Sequence, residues 1–198
     1  MPALTPENDL IRSRNVTASE CYALLGRHPY HSRQSIYDRL SAPWAYGHPE
    51  QSEAMALGVY FEPHIARYAA RRLGLRIRAN NKSYEHRLVS LSATPDYLVV
   101  GKRMLLEIKL SGIMYNWNEE ALHPWIEWQA RAQLACTQRD VVMICALVGV
   151  AFYTIPVLRD VEKEERLLEA VDTFFNDFVL PGIRPPDDDA TLKAVVTK

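Results

Sequence analysis

The sequence predicts a mixed α/β fold with a central β-sheet flanked by helices. Two observations carry this. Strand-like runs fall in two clusters, over 88–110 and 141–155, with a stretch of helical spacing at 125–137 between them. Helical stretches also precede the first cluster and follow the second, an order best satisfied by packing helices onto one sheet. The chain has 198 residues and no internal repeat, so a single domain spanning 1–198 is expected, with its core at about 12–183.

Taken in order, Thr17-Ala18-Ser19-Glu20 has the form of a capping box, which predicts a short helix burying Ala23, Leu24 and Leu25 and stopping at Gly26. The segment ahead of it is read as extended. Two prolines and a glycine make 41–50 a loop. Ser52–Leu73 is helical in composition and ends at Gly74, with Pro63 either kinking it or opening its second half. Strands are expected at Leu88–Ser92, Asp96–Val100 and Met104–Leu110, the last two joined by a turn at Gly101-Lys102-Arg103. After the helix Trp125–Thr137, Val141–Val148 and Ala151–Ile155 pair about Gly149. Asp160–Val179 closes the fold, with Leu167, Leu168, Val171, Phe174, Phe175 and Phe178 forming an apolar stripe. Residues 184–198, with Pro185-Pro186 and three consecutive aspartates, read as a loosely ordered tail.

Several function classes drop out. No apolar run approaches the length of a membrane span. Neither GxGxxG nor GxxxxGK[ST] occurs, which argues against an ATP motor or kinase, and no G-x-S-x-G elbow is present. The six histidines lack zinc-hydrolase spacing. Three cysteines without paired spacing are expected as buried core residues in a reducing cytoplasm. The net charge of −1 hides an asymmetry: residues 1–90 hold 12 basic and 8 acidic side chains, and 11 of those 12 cations are arginine. Residues 159–198 hold 6 basic and 10 acidic side chains. Arginine's fork suits phosphate oxygens, so an anionic polymer could lie along one side.

The chemistry concentrates in Thr94-Pro95-Asp96 and Leu105-Leu106-Glu107-Ile108-Lys109. Alternation puts Glu107 and Lys109 on one face of their strand and Leu106 and Ile108 on the other. The hairpin then brings Asp96 alongside them. Two carboxylates and a backbone carbonyl suit Mg²⁺, and a lysine beside them could orient a water or stabilise developing negative charge. The spacing alone is equally that of a surface ion pair; the apolar context favours a central strand.

Pro95-Asp96 followed by Glu107-x-Lys109 resembles the signature of the PD-(D/E)xK nuclease superfamily, with its restriction-endonuclease-like core. Thr17–Glu20, Gly58-x-x-x-Glu62, Gln129-x-x-x-Gln133 and the Phe174-Phe175 helix narrow the resemblance to the phage lambda exonuclease or YqaJ-like viral recombinase group, over about Arg12 to Ile183. The resemblance implies a Mg²⁺-dependent exonuclease that digests one strand of duplex DNA from its 5′ end and leaves 3′ overhangs. It implies one or two ions, with Mn²⁺ as a substitute. Asp96, Glu107, the Ile108 carbonyl and Glu62 would hold the metal, Lys109 would act on the attacking water, and Gln129 would orient water, DNA or the lysine. Arg12 (with Arg14 as the alternative), Ser19 and Thr94 would grip a 5′-phosphate. Met55 matches a wedge at the duplex end, although sequence alone favours a buried core methionine there. Where the family often carries a second glutamine, this chain has Arg131, which either contacts DNA or leaves that task to Gln133. A single-strand annealing protein and a ring-shaped homotrimer in a bacterial host's cytoplasm are implied partners and setting. Other readings are a restriction-type endonuclease, a CRISPR-associated adaptation nuclease, for which the cysteines are too few, and a catalytically silent DNA-end-binding protein.

Overall fold

The computed structural model describes residues 5–43, 52–112, 117 and 122–186. Its framework is a five-stranded sheet in the order β2-β5-β6-β7-β8, formed by Ile77–Ala79, Tyr97–Val99, Met104–Ser111, Val141–Val148 and Ala151–Leu158. β6 pairs antiparallel with β5 and parallel with β7, so the sheet is mixed. Pro156 lies in β8, whose place at the sheet edge leaves its missing N–H without cost. A smaller sheet, β1-β4-β3 (Val16–Thr17, Leu91–Ala93, Tyr84–Glu85), sits beside it.

Helices cover both faces of the large sheet. α3 (Glu53–Leu73) lays Ile65, Ala66 and Ala69 on Tyr97, Val99, Leu106 and Ile108. α4 (Pro124–Thr137) lays Ile126, Ala130 and Leu134 on Leu98, Leu105, Val142 and Ile144. Alternation along β6 therefore turns Glu107 and Lys109 toward α4. α3 ends as expected at Gly74, which adopts φ 62, a left-handed conformation that glycine takes without a Cβ clash. It keeps Pro63 inside an unbroken helix.

Several expectations change. The segment before Thr17 is a helix, α1 (Pro6–Arg14), capped by Thr5 and started by Pro6. A further helix, α2 (Arg33–Ser41), begins at a capping box formed by Ser32 and Ser35. The Thr17–Glu20 motif forms only half of its box: Glu20 accepts from the Thr17 N–H at 2.9 Å, but the Thr17 hydroxyl donates to the same carboxylate instead of capping the Glu20 amide. The element after this motif is a 3₁₀ turn, Cys21–Leu24, not an α-helix. The last helix, α5 (Val161–Phe174), passes into a π-helical turn at Phe175–Val179. Past it the chain is tied back to α2: Arg184 forks onto Asp38 at 2.7 and 3.0 Å, and Gln34 donates to the Pro185 carbonyl. The aspartate run expected in a loose tail lies outside the described residues, as does most of the expected loop at 41–50. Among the described residues no helix is long and apolar enough to cross a membrane. All three cysteines are buried.

Candidate active site

The β5–β6 pairing ends at Tyr97, opposite Leu106, so β6 runs on past it without a partner on that edge. Asp96 fills the vacated place: its Oδ2 accepts from the Ile108 N–H at 2.8 Å. The N–H and C=O of one strand residue project to the same edge, which puts the Ile108 carbonyl on the Asp96 side as well. Glu107 is 3% exposed, yet well satisfied. Its Oε1 accepts from Lys109 Nζ at 2.8 Å and from Gln129 Nε2 at 2.7 Å, and its Oε2 accepts from Gln133 Nε2 at 2.6 Å. Lys109 also donates to Gln129 Oε1 at 2.9 Å. Glu107, Lys109 and Gln129 thus form a closed triangle of hydrogen bonds.

These groups also interact through their charges. Burial, then the charge of Glu107 and also that of Glu62, hold the Asp96 carboxyl well above the usual carboxylate range against the pull of Lys109. Burial would lower the Lys109 ammonium, but the charges of Glu107 and Asp96 outweigh it and raise its pKa. Burial and the Glu62 carboxylate push the Tyr97 hydroxyl up to about 12, and the two side chains are hydrogen-bonded. Glu62 therefore reaches this end of the sheet from α3. Among the described residues no three Asp, Glu, His or Cys side chains form a metal cage of their own. The donors that would fit a divalent cation here are Asp96, Glu107 and the Ile108 carbonyl, with Glu62 nearby. Mg²⁺ accepts such partial protein coordination, and carboxylates that destabilise one another's charge are relieved by a cation.

A small cleft adjoins this group, lined by Arg12, Thr17, Ala18, Ser19, Ser92, Thr94, Gln129 and Gln133. Arg12 comes from α1, Ser19 from the turn after β1, and Thr94 from the link between β4 and β5. Thr94 shares a 2.7 Å hydrogen bond with Ser83, and Ser19 shares one of 3.1 Å with Thr17. Behind the cleft lies a buried knot. Arg39 from α2 forks onto Glu20 at 2.7 and 2.9 Å, and also donates to the carbonyls of Asn15 and Arg12. Burial alone would raise the Glu20 carboxyl; Arg39 outweighs it and holds the pKa low. The cleft and the acidic group meet at Gln129 and Gln133.

The family model of the YqaJ-like viral recombinase domain matches residues 9–140, well over half of the chain. The chain belongs to the YqaJ-like viral recombinase family. Its fold is that of an alkaline exonuclease from Laribacter hongkongensis, with a TM-score of 0.73 at 22% identity over 98% of this chain and 100% of that one. The same enzyme in complex with dAMP matches at 0.73 and 23%, with the same coverage. A phage-related exonuclease from Haemophilus somnus 129PT matches at 0.63 and 12%, covering 82% of this chain and 94% of its own. Among curated proteins no relative matches.

Within this YqaJ-like domain the remaining expected residues separate. Arg14 turns away from the cleft and forks onto Glu85 at 2.8 and 3.1 Å, which leaves Arg12 as the arginine on the cleft. Arg131 lies away from the Glu107–Lys109 group. Two residues past Gln129, about 200° around the helix, it is buried against Glu127 at 2.6 Å and reaches the Leu158 carbonyl. Gln133, one turn beyond Gln129, occupies the site instead. Met55 is 53% exposed in the first turn of α3, so the core reading does not hold for it. Sequence reasoning missed Thr17 and Ser92 as lining groups and the Glu20–Arg39 knot; the glutamate was visible in its motif, its arginine was not.

Proposed function

We propose that this YqaJ-like domain is a Mg²⁺-dependent exonuclease that enters duplex DNA at a 5′ end, releases mononucleotides and leaves a 3′ overhang for single-strand annealing. The observation that carries the reading is the junction at Gln129. One glutamine joins the Glu107–Lys109 group to a cleft lined by Arg12, Ser19 and Thr94. A hydrolytic group therefore sits next to a site with the chemistry to take a terminal phosphate, which suits an enzyme that measures from an end.

A divalent cation bound by Asp96, Glu107 and the Ile108 carbonyl would supply an acidified water and charge neutralisation. The chain's own residues do the rest. Gln129 and Gln133 fix both oxygens of Glu107, so the carboxylate cannot rotate. The Lys109 ammonium, charged and held between Glu107 and Gln129, orients a water and stabilises negative charge as it develops on the scissile phosphate. Arg12 binds the 5′-phosphate with its fork while the Ser19 and Thr94 hydroxyls donate to it. Family membership and fold support the deoxyribonuclease class. The ring-shaped trimer, the annealing partner and the cytoplasm of a bacterial host rest on the family resemblance.

The test is a time course on linear duplex labelled at either end, with and without a 5′-phosphate, in Mg²⁺ and in chelator, with closed circular duplex alongside. The expected result is Mg²⁺-dependent release from the 5′ end of linear duplex only, faster with the phosphate, and reduced by orders of magnitude in Lys109→Ala while DNA binding survives. Cutting of circles would indicate an endonuclease. End binding without hydrolysis, unaffected by Lys109→Ala, would indicate a silent partner. Release from the 3′ end first would overturn the polarity.

A further inference from the structure

His28, His31 and Trp125 play no part in the chemistry above, yet they stand at its border. The His28 ring is held in place by backbone. Nδ1 accepts from the N–H groups of Tyr30 and His31, each at 3.1 Å, and the ring also hydrogen-bonds the Ser19 backbone. With Nδ1 committed to two backbone amides, what His28 offers outward is its aromatic face. Around it the rings of His31, Tyr30 and Trp125 lie with centroids 4.8, 6.0 and 6.5 Å away. Trp125 is half-buried and stacked by His123 at 4.3 Å, while Tyr30 is 76% exposed.

The position of this shelf is set by two links. Ser19, which bonds His28, lines the phosphate cleft. Trp125 lies four residues before Gln129, one turn earlier on the same face of α4. A nucleotide whose 5′-phosphate is in the cleft and whose 3′ side leads to Glu107 and Lys109 has one part left to place, and the shelf flanks that path. Base–aromatic stacking tolerates every sequence, as an end-digesting enzyme requires.

We infer that His28 and Trp125, with Tyr30 at the rim, form a stacking shelf for the base of the 5′-terminal nucleotide. This rests on the proposed cleft and adds a third point of attachment, which seats the terminal residue between phosphate and base while its far bond is presented for cleavage.

The probes are deoxyadenosine 5′-monophosphate and deoxyribose 5-phosphate, which differ only by the base. Binding of each to the full chain is measured by calorimetry in chelator, where no hydrolysis intervenes. The wild type should bind the nucleotide about tenfold more tightly than the sugar phosphate. Trp125→Leu and His28→Leu should bring the two affinities together, whereas Arg12→Ala should weaken both by the same factor and keep their ratio. Equal affinities in the wild type would overturn the shelf while leaving the phosphate cleft standing, whether or not the variants fold. Failure of both probes to bind would remove the cleft and, with it, the shelf.

Discussion

Replacing Arg39 by alanine tests whether the buried knot holds the cleft in shape. The side chains of Arg39 and Glu20 are 12% and 8% exposed, and their closest contact is 2.7 Å. Removing one partner of such a pair strands the other as a buried charge, which costs about 3–5 kcal/mol. A domain of this size loses about 2–4 °C per kcal/mol, so the melting temperature should fall by roughly 6–20 °C. The substitution also frees the carbonyls of Arg12 and Asn15 and with them the end of α1. The preference for a 5′-phosphorylated end should shrink in step. The pH dependence has a definite sign. Glu20's folded pKa is depressed, so its stabilisation is complete above the unfolded value of about 4.3 and is lost as pH falls through the lower folded value. In Arg39→Ala burial is opposed only by the two Thr17 hydrogen bonds and the depression is lost, so the gap between variant and wild type should be wide at pH 8 and narrower at about pH 4. Circular dichroism melts at both pH values, with phosphate preference measured on the same samples, check this. A fall of under about 2 °C at pH 8 with preference intact would refute the reasoning.

Two further outcomes are expected. Arg12→Ala should slow digestion of 5′-phosphorylated duplex by about 10- to 100-fold, the worth of charge-assisted hydrogen bonds, and leave 5′-hydroxyl duplex unchanged; parallel initial rates on the two substrates check it. Arg131→Ala should cost about 2 kcal/mol of stability through the lost Glu127 and Leu158 contacts and leave the KM for DNA unchanged; a melt and a substrate titration separate these effects.

The parts of the molecule legible in the sequence are those whose pattern is local. β6 announces itself because Leu105, Leu106 and Ile108 surround two charges that alternation assigns to one face, and the turn before it fixes Asp96 opposite Glu107. The long helices were visible in their apolar stripes. α1 and α2 were not, because α1 buries only Asn8 and Ile11, and α2 only Ile36. They persist through caps at Thr5 and Ser32 and through Arg39, a partner 19 residues beyond Glu20 that spacing cannot foretell. β1 and β3 have two residues each, too few to show any period. The choice between Arg131 and Gln133 as the partner of Gln129 turns on helical phase. A helix separates residues two apart by more than half a turn, so Gln129 and Gln133 share a face from which residue 131 is excluded. That phase was already implicit in the spacing.

The same phase explains why α4 carries polar groups where a helix packed on a sheet would be expected to carry leucine. Gln133 is wholly buried, and its Oε1 lacks a partner among the described residues. An unpaired buried carbonyl costs about 1–3 kcal/mol, which a leucine would avoid. Leucine, however, would strip Glu107 Oε2 of its 2.6 Å donor and leave half of a buried carboxylate unsatisfied, a larger loss for a charged group. Once Glu107 is placed on the inward face of a central strand, a second amide one turn from Gln129 becomes the less costly arrangement. The orphaned oxygen beside it belongs to a residue on the wall of the cleft that holds Arg12, Ser19 and Thr94. Local stability is thus given up where β6 and the cleft meet, the place where a site rather than a core has to be built.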